Sequence, residues 1–164
     1  MGFLKTYRNS IWRVPLIAVI SGFFYTPLYV SVMVRFGVTK SGEINYGVSL
    51  LTSAFLFLAV LFLGGITLLR KQTRKEIFVS AAVVFVYGIL LLVIQLLTGS
   101  ITGPTAIVFM YLFKPLDWTG FFTNLSIYLQ QELGITTVLI GWGRFLAPFL
   151  FVLFGKKADG RKGR

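Results

Sequence analysis

Four apolar segments, each long enough to cross a lipid bilayer, constrain this chain more than any other feature. A hydrocarbon core of ~30 Å requires about 20 apolar residues in a helix. The segments that meet this length are Val14–Val34, Val48–Leu69, Ile77–Leu97 and Ile135–Phe154. Within them the single formally charged residue is Arg144. A soluble bundle would need polar outer faces on these helices. We therefore expect an all-α integral membrane protein, a bundle of four transmembrane helices in one membrane domain (1–164).

The positive charges are distributed unevenly between the two sides of this threading. Of 16 Lys and Arg residues, twelve lie before the first segment, between the second and third segments, or in the tail 155–164. The other side has only Arg35, Lys40 and Lys114. The positive-inside rule then predicts cytoplasmic N- and C-termini, and we expect the plasma membrane of a bacterium. Because orientation explains the net charge of +11, the expected partner is a bilayer with anionic headgroups and not a nucleic acid.

The segment 103–134 between the third and fourth spans is expected on the extracytoplasmic side. Its apolar run Ala106–Phe113 is too short to span, so it should lie in the interface or form a re-entrant segment. An amphipathic helix follows, with Asp117 or Thr119 able to cap its start and Gly134 able to end it. Its apolar stripe, which could lie on the bilayer surface, cover the bundle or bind a partner, includes Phe121, Leu125, Leu129 and Leu133. We favour the bilayer surface.

Arg144 lies near the centre of the fourth segment, which places it near the bilayer midplane. An Arg there costs at least ~2.5 kcal/mol on insertion scales, so it should face the bundle interior or a wet cavity. Tyr25 and Tyr87 lie midway along the first and third segments, and Thr26 is beside Tyr25. We predict a polar, substrate-binding cluster from these four residues. Two other interpretations remain open: Arg144 snorkels to the interface, or it pairs with an acidic residue of another subunit.

Helix-breaking residues accompany this predicted cluster. The candidates for helix kinks are Pro27, Pro148, Gly141 and Gly143. Proline removes one helical hydrogen bond and frees a carbonyl. Broken helices near an intramembrane charge are typical of transport sites, although Pro and Gly are also common in membrane helices generally.

The composition excludes several classes of chemistry. The chain has no Cys and no His, so thiol catalysis, Ser-His-Asp triads and His- or Cys-ligated metals are ruled out, and we expect no cofactor, no metal and no catalytic residue. We expect a small transport-related protein, either a transporter or channel or a membrane subunit, that handles an anionic or lipid-phosphate substrate. The alternative is a non-catalytic accessory or assembly subunit of a membrane complex, bound to another membrane protein. A homo-oligomer is a further possible partnership. An intramembrane or lipid-modifying enzyme, using Asp117 and Glu132, is the least favoured class.

Overall fold

The computed structural model describes residues 10–39, 42–99, 104–136 and 138–156, and these residues are almost entirely helical. Three helices are long and apolar enough to cross a membrane. They are α1 (Arg13–Val32), α2 (Tyr46–Gly64) and α3 (Arg74–Thr98). The first two continue as single π-helical turns, Met33–Gly37 and Gly65–Leu69. The first three predicted segments lie inside these helices and their π-helical turns, which confirms the all-helical class and three of the expected apolar helices.

Polar residues fix where the long helices begin and end. The side chain of Asn45 accepts a hydrogen bond from the backbone N–H of Val48 and caps α2. At α3, Thr73 and Glu76 form a reciprocal capping box, which satisfies two otherwise unpaired N–H groups. Gly99 ends α3 in the left-handed conformation that favours glycine.

The fourth apolar segment does not form the single helix Ile135–Phe154 that the sequence predicts. Helix α6 begins at Val138 and ends at Leu146, and a 3₁₀ segment continues it over Ala147–Phe154. The change occurs one residue before Pro148, which has no N–H to donate and whose ring clashes with an α-helical carbonyl. The predicted bounds were therefore wrong at the start and in the type of helix after Leu146.

Residues 104–133 form a helical hairpin between α3 and α6. Its two arms are α4 (Pro104–Leu112) and α5 (Gly120–Leu133), and a 3₁₀ turn over Lys114–Thr119, called the tip here, joins them. Leu116, Trp118 and Thr119 in the tip have at most 1% of their surface exposed. The tip is thus part of the protein core and not a surface loop.

Glycine and aromatic residues make room for the tip. A Cβ atom on Gly22 of α1 would lie 1.9 Å from the carbonyl oxygen of Lys114, so only glycine permits this approach. Phe57 of α2 stacks on Trp118 with 5.6 Å between ring centroids. Phe151, in the segment after α6, packs against the other side of Trp118 at 5.5 Å. The helices α1 and α2 and the segment after α6 therefore pack around the tip. Helix α3 contacts the tip as well, through Gly88 beside Leu116.

One end of the bundle is held together by hydrogen bonds between helix termini. The N–H of Val14 donates to the hydroxyl of Ser80 at 3.0 Å, which ties α1 to α3. The guanidinium of Arg13 donates to the carbonyl of Leu68 at 2.8 Å. Lys156, after α6, donates its N–H to the carbonyl of Gln72 at 2.8 Å. Successive long segments are therefore antiparallel. We call this the basic end, because its described residues include Arg13, Arg70, Lys71, Arg74, Lys75 and Lys156.

Candidate functional site

A polar network connects the tip of the hairpin to α1. The hydroxyl of Thr26 donates to the carboxylate of Asp117 at 2.9 Å. The ammonium of Lys114 donates to the hydroxyl of Thr26 at 2.8 Å and to Asp117 at 3.1 Å. The two charged side chains remain only partly exposed, at 21% and 28%. A carboxylate and an ammonium are thus held together against a membrane-length helix, where each alone would be costly to bury.

Arg144 of α6 lies close to this network but is not paired by it. Its guanidinium carbon lies 5.2 Å from the ring centroid of Phe113 and 5.4 Å from that of Phe145. Its Nε atom is buried and makes no hydrogen bond with any residue that the structure describes. A buried charged donor without an acceptor carries a desolvation penalty of more than ~1–3 kcal/mol. The guanidinium therefore lies beside two aromatic rings, and its Nε is enclosed by protein.

These charged residues line a groove of about 980 Å³ between α1, α3, α4 and α6. Thr26, Lys114, Asp117 and Arg144 form its polar wall, and Gln95 of α3 also lines it. The remaining lining is mostly apolar and includes Leu92, Ile107, Met110, Tyr111 and Trp142. The groove thus combines a charged wall with apolar sides.

A second cavity of about 320 Å³ lies on the other side of the network. It is lined by Tyr25 and Tyr29 of α1, by Gly120 and Asn124 of α5, and by other residues. Thr26, Asp117 and Arg144 line both this cavity and the groove. These three residues therefore border both spaces.

The structure brings together three of the four residues of the predicted cluster. Arg144, Thr26 and Tyr25 line the smaller cavity, and the Tyr25 ring stacks on Tyr29 at 5.8 Å. Tyr87 lines neither cavity, and its hydroxyl donates to the carbonyl of Leu112 at 2.6 Å. Tyr87 joins α3 to α4, and the predicted contact between Tyr25, Tyr87 and Arg144 is absent among the described contacts.

The residues singled out as helix breakers have different surroundings. Pro27 lies inside α1, which continues to Val32, and Pro148 is the second residue of the 3₁₀ segment after α6. A Cβ on Gly143 would lie 2.4 Å from the Phe122 ring. A Cβ on Gly141, which lines the groove, would meet nothing within 4 Å.

The stripe of the amphipathic helix is partly inside the bundle. Phe121 stacks on Phe57 with 5.6 Å between centroids, and it packs against the buried core. Leu125 and Leu129 are half-buried, and Leu133 is 58% exposed. Of the three roles predicted for this stripe, the structure places its first turn against the bundle, with the exposed end left for the bilayer or a partner.

Two further expectations need correction, and a third is confirmed. The α5 helix has no side-chain cap, because Asp117 bonds to Thr26 and Lys114 and the Thr119 hydroxyl donates to Leu116 at 2.6 Å. Gly134 does end α5 in the left-handed conformation, as predicted. Along the axis, Arg144 lies about 9 Å from the start of α6 and about 19 Å from the end of its 3₁₀ extension, so it is not central.

The sequence did not place Lys114 in the predicted cluster, and it suggested Asp117 only as a helix cap or as an acid or base of an enzyme, because both residues follow a run that is too short to span. A signal for them does exist in the chain. The apolar run Ala106–Phe113 is too short to span, but at 1.5 Å per residue it reaches ~12 Å into a bilayer. Charges that follow such a run directly can lie at depth when protein surrounds them.

The comparison with known proteins adds no family. No protein-family model, curated protein or solved structure matches this chain. A function for the site must therefore be argued from its own geometry.

Proposed function

We propose that the chain crosses the membrane four times, with α6 and its 3₁₀ extension as the fourth span. A 3₁₀ helix rises ~2.0 Å per residue against 1.5 Å for an α-helix, so Val138–Phe154 extends about 30 Å. That length equals a typical hydrocarbon core. The hydrogen bond between Lys156 and Gln72 at the basic end supports the same path, because it joins the end of this segment to the start of α3.

We further propose that the hairpin is re-entrant: it enters the membrane along α4 and returns along α5 to the same surface, opposite the basic end. Irregular backbone at membrane depth is tolerated only where protein surrounds it. The burial of Trp118 and Thr119, each 0% exposed, meets this condition. By the positive-inside rule the basic end would face the cytoplasm of a bacterial cell.

For the activity, we propose that the protein binds an anionic ligand at Arg144 and Lys114 and transports it. The observation that carries this proposal is Arg144, which lines the groove and whose buried Nε has no acceptor among the described residues. Arg144, Lys114 and Asp117 together leave one uncompensated positive charge at the groove wall. The groove is formed by helices of one chain, which supports a self-sufficient site over a subunit whose arginine awaits a partner's carboxylate.

The test compares Arg144→Gln with Arg144→Lys and with the control Arg35→Gln, which alters an exposed arginine. Each purified variant is titrated with sodium phosphate and separately with dioctanoyl phosphatidic acid, and the shift in unfolding temperature gives the affinity. Hydrogen bonds to charged groups contribute ~1.5–3 kcal/mol, so Arg144→Gln should weaken binding by about 10- to 150-fold. Arg144→Lys should keep part of the affinity, and the control should bind as the wild type does.

Transport is measured on the probe that binds, as its movement across vesicles containing the protein. We expect movement above that of protein-free vesicles, and its loss in Arg144→Gln. The binding proposal is overturned if neither probe shifts the unfolding temperature of the wild type, or if Arg144→Gln binds as tightly. Binding without movement would contradict transport and favour the assembly subunit.

A further inference from the structure

The groove is much larger than its charged wall requires. Sites of ~300–1,000 Å³ hold drug-sized molecules, and this groove has a volume of about 980 Å³. An inorganic oxyanion against Arg144 and Lys114 would leave most of that volume empty. The remaining lining is apolar and aromatic, so the additional occupant should be a hydrocarbon.

One side of the groove is open along α4. Ile107, Met110 and Tyr111 line the groove, and 56%, 70% and 68% of their surfaces are exposed. In a bilayer such apolar side chains face the lipid chains. A ligand could therefore enter sideways from the bilayer, between α4 and its neighbours.

The groove also has a direction. It extends from Arg144 to Gln95 and Ala106, which lie near the last turn of α3 and the first turn of α4. Both turns are at the end of the bundle opposite the basic end. A ligand would therefore reach the charged wall from the leaflet on that side, and it would pass Gln95.

We infer that this groove takes the phosphate-bearing headgroup of a membrane lipid from that leaflet, with the hydrocarbon chains along its apolar sides and continuing into the bilayer beside α4. The inference rests on the proposed anion site and names its substrate class. A guanidinium presents a planar fork of donors that suits phosphate oxygens, and the Phe113 and Phe145 rings lie beside this fork. A soluble anion and a lipid phosphate both lose hydration at this wall, but only the lipid also has chains that match the apolar sides.

Trp142 provides a direct readout, because it lines the groove and is 47% exposed. The protein is prepared as the Trp12→Phe variant, which removes an exposed tryptophan, and Trp118 stays fully buried. It is placed in phosphatidylcholine vesicles that contain phosphatidic acid with brominated chains, which quench nearby tryptophan. Brominated phosphatidylcholine at the same mole fraction measures quenching by the surrounding bilayer. Loss of the signal in Trp142→Phe identifies its source.

We expect half-maximal quenching by brominated phosphatidic acid at a mole fraction at least fivefold lower than for brominated phosphatidylcholine. Arg144→Gln should abolish this difference, and Arg35→Gln should keep it. Gly141→Leu should reduce the difference at least threefold. A Cβ on Gly141 would meet nothing within 4 Å, and Gly141 lines the groove, so the leucine side chain should occupy space that the lipid needs.

Equal quenching by the two brominated lipids in the wild type overturns the lipid inference. If sodium phosphate still stabilises the protein through Arg144, the proposed anion site survives that result. If neither lipid nor phosphate responds to Arg144→Gln, the site and the inference both fail. An unaltered lipid preference in Gly141→Leu, with the fold intact by its unfolding temperature, would also contradict a lipid in this groove.

Discussion

Gly22 is the residue at which α1 and the hairpin tip approach most closely. A Cβ there would lie 1.9 Å from the Lys114 carbonyl oxygen and 2.7 Å from its carbon, and neither backbone atom can rotate away. We predict that Gly22→Ala lowers the free energy of unfolding by ~1–3 kcal/mol, the usual cost of overpacking, because the tip must shift. The midpoint of detergent-induced unfolding, followed by tryptophan fluorescence, measures this loss.

Gly141 supplies the matched control for that substitution. It also lies inside a helix, but a Cβ there meets nothing within 4 Å. Alanine has a higher helix propensity than glycine, so Gly141→Ala should be neutral or stabilising by up to ~1 kcal/mol. Similar losses at both positions would show that the close approach of α1 to the tip does not exist in the bilayer.

Among the elements, α4 depends most on its neighbours. A helix of nine residues is too short to be stable alone, and its last carbonyl, at Leu112, accepts a hydrogen bond from Tyr87 of α3. We predict that Tyr87→Phe, which removes only this donor, costs ~0.5–1.5 kcal/mol locally. Hydrogen exchange of the α4 amides should then be about 2- to 12-fold faster.

Tyr29→Phe is the control, because it also removes one tyrosine hydroxyl contact, here the partly buried one with Ser49 of α2 at 2.7 Å. That variant should leave exchange in α4 unchanged. If Tyr87→Phe does not accelerate exchange in α4, or if Tyr29→Phe accelerates it equally, Tyr87 is not what holds α4 in place.

Hydrophobic length was sufficient to predict the elements that pack mainly through apolar surface. It located α1, α2 and α3 to within a few residues, and helical spacing located α5. It failed at Ala147–Phe154, where Pro148 changes the helix type, and at the tip. Whether Lys114 and Asp117 lie in water or inside a bundle depends on Gly22 and Thr26, almost 90 residues earlier in the chain. The local pattern of apolar and polar residues cannot predict a contact between residues so far apart in the chain.

At the scale of the whole molecule, the bundle is organised around its tip. The core that joins α1, α2 and the segment after α6 is formed through Trp118 and its stacked rings. The same arrangement brings Lys114 and Asp117 to Arg144. Stability and the candidate site therefore both depend on the buried tip.

The proposed topology can be tested on a clean background, because the chain contains no cysteine. Single cysteines at exposed positions 38 and 136 should react with an impermeant maleimide only from outside the cell, and those at 71 and 156 only after lysis. Trp118→Cys should react from neither side until the protein is denatured, because protein surrounds the tip.

Thr136→Cys and Lys156→Cys are the decisive pair, since α6 and its extension lie between them. Labelling of both from one side would show that this segment does not cross. Rapid labelling of Trp118→Cys in the native protein would place the tip in water. Lys114 and Asp117 would then not form the polar wall of the groove beside Arg144.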